Sequence, residues 1–494
     1  MESAKENFRG KVLSSLFWQL LERGGVAIGG LLVQITLARL LSPEDFGALA
    51  LILVFVLIGT VFSVSGFNTA LVQAKECDAL DYDTVFWIST VVSLTIWCAI
   101  AIAAPWVAEA FSTPAMTNPL RAMGGVIFLN SVNAVFIADI QRNLAFRKIF
   151  NASLSSLVVA SVVGIGSALL GAGLWALVLY QLANSVVKTL LFLKQISWRP
   201  TFRFSRIKAK RLFGFSWKLL VSALLDTGYQ SLSDIIIGKR FSTADLGLVA
   251  QGKHYPGVLA QILDGAIQPV MLSAVARVQK DPQAVKSLVR RSLKTSALAV
   301  VPIMTLAATL AEPLVAFALG AKWSGAVIYF QMYCFIYALW PIHTTNLSAL
   351  NGVGRSDLFL KLEIVKKIVG FSILSVTVFV FQTPVAIVAG FMLSGVCSTL
   401  INAFPNRHVI GYGYLDQLMD LAPIWGLSLV SGAVAYVGFN FLQISGLLAI
   451  IASSILFAIV FLSLGMIFKC EALLYVLNCS RSYLLKFREV HSRG

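Results

Sequence analysis

Arg23 stands about midway along an apolar run bounded by Lys11 and Arg39. A charge near the centre of a membrane-spanning helix costs about 2.5 to 3.5 kcal/mol even on the milder insertion scale, so it must face protein or water. Helical periodicity gathers Gln19, Arg23, Ala27, Gly30 and Gln34 on one narrow face, polar and small, suited to a water-filled cavity. The level position on the following run falls near Phe62 and Ser63, where no acid stands, and Glu22 points about 100° away around the helix. Such a face is equipped to hold an anion. A guanidinium gives a phosphate two parallel charge-assisted hydrogen bonds and stays ionised throughout.

A second polar set lies further on. Lys218, Ser222, Asp226, Gln230 and Asp234 recur at four-residue steps along one run, and the next run carries Lys253, His254 and Asp264. Counting outward from a turn at Ser242 and Thr243 along antiparallel helices sets Asp234 level with Lys253, and Lys218 near Asp264. Two readings stay open: Asp234 and Lys253 neutralise each other as a structural pair, or Lys253 is a direct anion ligand. Lys218 and Lys253 therefore join Arg23 as candidate substrate-binding cations, with Gln19, Gln34 and Gln230 as candidate polar lining. Asp226, Asp234 and His254 can change protonation and are the candidates for ion coupling. Tyr329, Tyr333, Tyr337 and Trp340 form a stripe ending at Pro341. Tyr333, Tyr337 and Trp340 could stack on sugar rings; helix packing and interfacial anchoring are the plainer use of the same residues. Pro341 and Pro256 are expected to break their helices.

Catalysis finds little support. The four His never take metal-ligand spacing and the six Cys form no C-x-x-C, so neither a metal site nor a disulfide framework is expected. No Walker sequence for a nucleotide phosphate is present, and no catalytic residue or cofactor is assigned.

The elements that must position these residues are membrane helices. Among 494 residues, 58% are hydrophobic, 13% charged and 33 are Phe, a composition no water-soluble surface tolerates. Fourteen spans are expected, centred on Ala27, Gly59, Trp97, Leu129, Ser161, Ala183, Leu225, Leu259, Leu306, Ile336, Leu374, Leu393, Leu429 and Leu456. Two stretches repeat: QITLARLLSPEDFG from Gln34 matches DIIIGKRFSTADLG from Asp234, with Ser42, Asp45 and Gly47 answering Ser242, Asp245 and Gly247. QRNLAFRK from Gln141 likewise resembles GRSDLFLK from Gly354, pairing Arg142 with Arg355 and Phe146 with Phe359. The fold class is thus an all-α polytopic membrane protein of about fourteen transmembrane helices, two pseudo-symmetric six-helix lobes plus two C-terminal helices. The expected divisions are a lobe at 1–196, a basic linker at 197–212, a lobe at 213–404, two added helices at 405–468 and a basic tail at 469–494. Lys and Arg crowd the N-terminus, the linker, the segment 277–294 and the tail, which places both termini in the cytoplasm. This also accounts for most of the +16 net charge without nucleic acid.

The segments VQITLARLLSPEDFGALAL, LVQAKECDALDYDTVFW, NLAFRKI, GKRFSTADLGLVAQ and LGAKWSGA resemble the Wzx-type bacterial polysaccharide flippases, especially the colanic-acid branch, within the multidrug/oligosaccharidyl-lipid/polysaccharide exporter superfamily. The resemblance runs from about residue 10 to about residue 420. It implies an inner-membrane protein that moves an undecaprenyl-pyrophosphate-linked oligosaccharide to the periplasmic leaflet through a cationic cavity. Arg23, Lys218 and Lys253 fit that cavity by type and depth. Implied partners are the lipid-linked oligosaccharide, membrane lipids, and glycan polymerase and chain-length machinery. Two rival classes share parts of the pattern. A cation-coupled drug exporter of the superfamily would favour an acidic cavity, and a membrane-embedded glycan polymerase or ligase would need a sizeable catalytic loop.

Overall fold

The computed structural model describes residues 2–64, 66–73, 77–196, 198–279, 281–441 and 446–478, and among them the regular elements are all helical. Two compact units divide the chain, Met1–Ala250 and Gln251–Gly494. The first holds α1 (Glu2–Leu40), α2 (Pro43–Val64), the short α3 (Phe67–Gln73), α4 (Ala79–Ala110), α5 (Thr117–Arg142), α6 (Phe146–Leu169), α7 (Leu174–Gln195), α8 (Arg206–Arg240) and the first turns of α9 (Thr243–Val278). The second holds the rest of α9, then α10 (Pro282–Thr309), α11 (Ala311–Ala318), α12 (Val327–Ala338), α13 (Trp340–Gly352), α14 (Ser356–Val380), α15 (Pro384–Ala403), α16 (Asn406–Val409), α17 (Tyr414–Phe441) and α18 (Leu447–Ile467).

All fourteen expected span centres fall on helices. Among the described residues, eleven segments are long and apolar enough to cross a membrane. The other long helices at expected centres, α8, α9 and α14, carry charge along their length: Asp226 and Asp234, then Lys253, then Glu363, Lys366 and Lys367. The chain is an all-α polytopic membrane protein. Its polarity is inverted relative to a water-soluble fold. Leu170 is 89% exposed and Phe441 82%, as lipid-facing side chains would be, while Ser131, Ser156, Asn402, Gln417 and Ser428 are fully buried. The buried serines bond within their own helices, Ser131 Oγ donating to the Ile127 carbonyl at 2.9 Å and Ser428 Oγ to the Ile424 carbonyl at 2.7 Å. That pairs these hydroxyls where no water can reach.

The two repeated turns are built alike. Ser42 and Asp45 exchange bonds, Asp45 N–H to Ser42 Oγ at 3.2 Å and Ser42 N–H to Asp45 Oδ2 at 3.1 Å; Ser242 and Asp245 repeat them at 3.0 and 3.2 Å. Each is a reciprocal capping box that starts a helix. The two turns also meet. A Cβ on Gly47 would fall 1.7 Å from the Thr243 carbonyl oxygen, and one on Gly247 would fall 1.9 Å from the Pro43 carbonyl oxygen. The contact is reciprocal, residue for residue, and only glycine permits backbone to touch backbone this closely.

The second repeat has a different register from the one read off the sequence. Ala145 N–H closes on the Ile140 carbonyl around positive-φ Leu144, and Arg355 N–H closes on the Leu350 carbonyl around positive-φ Gly354. These helix-ending turns make Leu144 equivalent to Gly354 and Arg142 to Gly352. Backbone closure sets the correspondence, not the matching Arg and Phe. Prolines also divide. The break at Pro341 is present, α12 ending at Ala338 and α13 beginning at Trp340, whereas α9 runs through Pro256 unbroken. Neighbouring helices can re-satisfy the carbonyl that proline frees, so the residue alone does not dictate a kink.

The basic linker is strapped to α4. Lys208 pairs with Asp78 and Asp81, and Arg211 with Asp81 at 2.7 Å. Trp87 Nε1 donates to the Thr201 carbonyl at 2.8 Å, and the Phe202 ring stacks on Trp87 at 4.8 Å. In the second unit, α17 packs on both α10 and α18. Arg290 of α10 grips Asp420 of α17 with two bonds of 2.7 Å, and Lys294 reaches Asp420 at 2.9 Å and Glu471 at 2.6 Å. Cys479 and the charged tail from Arg481 onward lie outside the described residues.

Candidate functional site

The face that carries Arg23 is defined by what α1 does with its other face. α1 packs on α6, where Gly29 lets Leu157 approach to 2.7 Å of a would-be Cβ. Trp18 meets the Phe150 ring at 5.3 Å and lies under the Arg147 guanidinium at 5.2 Å. Glu22 accepts a hydrogen bond from Ser153 Oγ at 3.1 Å and interacts electrostatically with Lys188 of α7. Trp18, Glu22 and Gly29 thus form the packing stripe, and the Gln19, Arg23, Gly30 and Gln34 stripe lies about 120° around the helix from it. Arg23 is exposed, and among the described residues it makes no hydrogen bond or ion pair. Open space lies beside Gly24, Gly25 and Gly30. Gln19 and Gln34 are half-buried, and Gln34 Oε1 is buried without a hydrogen-bond donor among the described residues.

On α8, which packs against α2, α3 and α4, Asp226 and Gln230 are exposed and joined, Gln230 Nε2 donating to Asp226 Oδ2 at 2.8 Å. Gly228 between them borders open space. Asp234 is half-buried and accepts from Ser233 Oγ at 3.1 Å. Lys218 lies on the same helix, its side chain outside those described.

In the second unit, Lys253 and His254 are half-buried on α9. Two glycines on that helix admit the aromatic stripe: a Cβ on Gly252 would lie 2.6 Å from the Tyr329 Cβ, and one on Gly257 would lie 2.9 Å from the Tyr337 hydroxyl. Tyr333 and Tyr337 are buried, with ring centroids 6.1 Å apart, and Tyr337 meets Trp340 edge-on at 4.9 Å. Trp340 retains partial exposure. The polar face of the first unit is exposed at Arg23, whereas the tyrosines of the aromatic stripe in the second are buried and only Trp340 retains partial exposure. Sequence reasoning noticed Glu22 only as a poor partner for Arg23. The signal it passed over was Lys188, a further cation within an apolar run, which gives Glu22 an opposite charge of its own.

The profile of the polysaccharide biosynthesis protein family matches residues 36–328, more than half of the chain. The chain belongs to that family. Within it, 440 residues are 23% identical to the lipopolysaccharide biosynthesis protein WzxC of Escherichia coli (strain K12), covering 87% of this chain and 88% of that one. A 345-residue match at 25% identity joins it to the succinoglycan biosynthesis transport protein ExoT of Rhizobium meliloti (strain 1021), over 70% of each chain. In fold, this family member is similar to the lipid II flippase MurJ in its inward closed conformation, with a TM-score of 0.75 over 92% of this chain and 98% of that one, at 12% identity. The family match takes in Lys218, Asp226, Gln230, Asp234, Lys253 and His254; Gln19, Arg23 and Gln34 precede it, and Tyr333, Tyr337 and Trp340 follow it.

Proposed function

We propose that this family member is a transporter that flips a polyprenyl-pyrophosphate-linked oligosaccharide from the cytoplasmic to the periplasmic leaflet of the bacterial inner membrane. The observation that carries the reading is Arg23: an exposed guanidinium on a membrane helix whose one nearby acid, Glu22, is turned into the α6 contact. Such a cargo has an anionic joint and a hydroxyl-rich head that hydrocarbon excludes. A fixed cation in a hydrated cavity offsets the joint, polar side chains such as Gln19, Gln34 and Gln230 serve the head, and the prenyl tail stays in lipid. Family membership and the similarity to a lipopolysaccharide biosynthesis protein and a succinoglycan transport protein support the cargo class. Lys253 is the second anion ligand in this reading, with Lys218 beside it by position, and Asp226, Asp234 and His254 are the groups available for ion coupling. Lobes of 1–196 and 213–404 alternate about the site, the helices of 405–468 are additions, and both termini are cytoplasmic, as the crowding of Lys and Arg at one set of loop ends supports.

Arg23→Gln is expected to leave the protein in the membrane at normal abundance, stop surface polysaccharide, and make the lipid-linked oligosaccharide accumulate on the cytoplasmic side. Arg23→Lys, a point charge without the fork, should retain partial activity. Lipid extraction and surface-glycan staining read both. Normal export by Arg23→Gln, or loss of the protein from the membrane, sinks the cationic-site reading.

A further inference from the structure

A second cationic site lies in the Gln251–Gly494 unit, on residues separate from the Arg23 face. A cavity of about 630 Å³ opens between the first turns of α10, the Ile410–Gly411 turn and the segment after α18. Its wall carries Lys286, Arg290, Arg291 and Lys294 against one carboxylate, Glu471. Asp420 adds a second carboxylate from behind, bound to Arg290 and Lys294. Among the described residues two acids answer four cations, so two positive charges are left over. They belong to Lys286, which makes no ion pair among the described residues, and Arg291, whose guanidinium lies over the Tyr475 ring at 4.7 Å. An aromatic face orients a cation without neutralising it.

The spacing on the helix explains the convergence. Lys286, Arg290 and Lys294 follow one another at four-residue steps, one above the next on a single face of α10, and Arg291 falls beside them. Like charges so placed repel, and the helix tolerates them because Asp420 and Glu471 come in from α17 and from the segment after α18. The network holds Arg290 and Lys294 in place and leaves the outer pair available. Thr295 through Leu310 carry no charge, so the cavity lies where the apolar part of α10 ends.

We infer that this cavity binds a phosphate group at the membrane surface, with Lys286 and Arg291 as its ligands and the Arg290–Lys294–Asp420–Glu471 network as its base. Arg offers a fork to phosphate oxygens and Lys a mobile point charge, a pairing suited to a phosphodiester. The phosphate can belong to the headgroup of an anionic phospholipid or be free in solution. The inference goes beyond the carrier reading and does not depend on it, because none of its residues is among the cargo candidates.

The test uses the full-length protein in nanodiscs of phosphatidylcholine, of phosphatidylcholine doped with phosphatidylglycerol, and of phosphatidylcholine with added inorganic phosphate, read by thermal melting. Wild type should melt higher with an anion present. Lys286→Gln/Arg291→Gln should melt like wild type in phosphatidylcholine and bind the anion about 30-fold more weakly, two surface cations each contributing to lipid-phosphate attraction. The charge-keeping Lys286→Arg/Arg291→Lys should restore most of the gain. A gain with phosphatidylglycerol alone assigns the phosphate to a headgroup, and a gain with inorganic phosphate assigns it to a soluble source. A wild type indifferent to both anions, an undiminished gain in the double Gln variant, or a melting loss by that variant in phosphatidylcholine alone overturns the inference.

Discussion

At the scale of single residues, adjacent charges on α1 meet different fates because the helix turns them about 100° apart. Glu22 meets Ser153 and Lys188 and is absorbed by packing, whereas Arg23 is left exposed on the face where open space lies beside Gly30. Asp78 is the opposite case, a carboxylate whose Oδ1 is shared by Lys208 and the Asp81 N–H. The hydrogen bond from Lys208 is the main reason its pKa lies at about 2, below the ordinary 3.8, helped by the N–H of Asp81 that it caps. A depressed acid contributes stability above its unfolded pKa and loses it as pH falls through the folded one. Asp78→Asn should therefore lower the melting temperature at pH 6, and the gap between variant and wild type should close as pH falls from 3.8 toward about 2. A gap that persists unchanged at the acid end would show that the capping geometry, not the charge, does the holding. Glu471 is lowered in the same sense, chiefly by the Lys294 hydrogen bond.

Elements in a membrane cannot be joined by the hydrophobic effect, since lipid is as apolar as leucine, so close packing and polar contacts fix their pairing. One such contact is fully buried: Asn346 of α13 and Gln417 of α17 exchange amide bonds at 2.8 and 2.9 Å, and Asn406 of α16 donates to Asn346 Oδ1 at 2.5 Å. Three amides from three helices are thereby linked, and Asn346 also donates to the Ile342 carbonyl at 2.7 Å. Gln417→Leu keeps the volume but strands the Asn346 amide, and is expected to cost about 1 to 2 kcal/mol. Unfolding in mixed detergent should register that loss, with exposed Met419→Leu on the same helix as the unaffected control. Equal stability of the two variants would mean that the network relaxes onto other partners.

At the scale of the whole chain, segments 200 residues apart meet where the two repeated turns touch within the Met1–Ala250 unit. With Gly47 and Gly247 each against the other turn's backbone, a methyl group at either position cannot be accommodated without separation. Gly47→Ala and Gly247→Ala should each raise deuterium uptake in both turns, around residues 41–47 and 241–247 alike, because the contact is reciprocal. The double variant should add little, as sites sharing one contact are not additive. Uptake confined to the mutated turn would show the two turns to be independent.

Apolar run length placed fourteen centres that all fall on helices, eleven of the segments being long and apolar enough to cross, because a chain in lipid must pair its backbone within each helix and needs about 20 apolar residues to span it. The Ser-x-x-Asp turns were equally legible, since a capping box is a local bargain between residues three apart. Charge in apolar runs marked Arg23, Asp226 and Lys253 as residues needing an explanation. What those side chains meet is another matter. That Glu22 faces α6, that Tyr337 packs against Gly257, and that Gly47 touches Thr243 depend on partners far away in the chain, which periodicity cannot name. The register of the second repeat went the same way: matching Arg and Phe suggested one alignment, and the closure of the helix ends at Leu144 and Gly354 decided another. The cluster of Lys286, Arg290, Arg291 and Lys294 reads in sequence as one more basic loop end, and only the arrival of Asp420, Glu471 and Tyr475 from distant segments turns it into a walled cavity. Local chemistry dictates which segments become helices and where they stop; the identity of the neighbour across each face is a long-range choice that the fold makes.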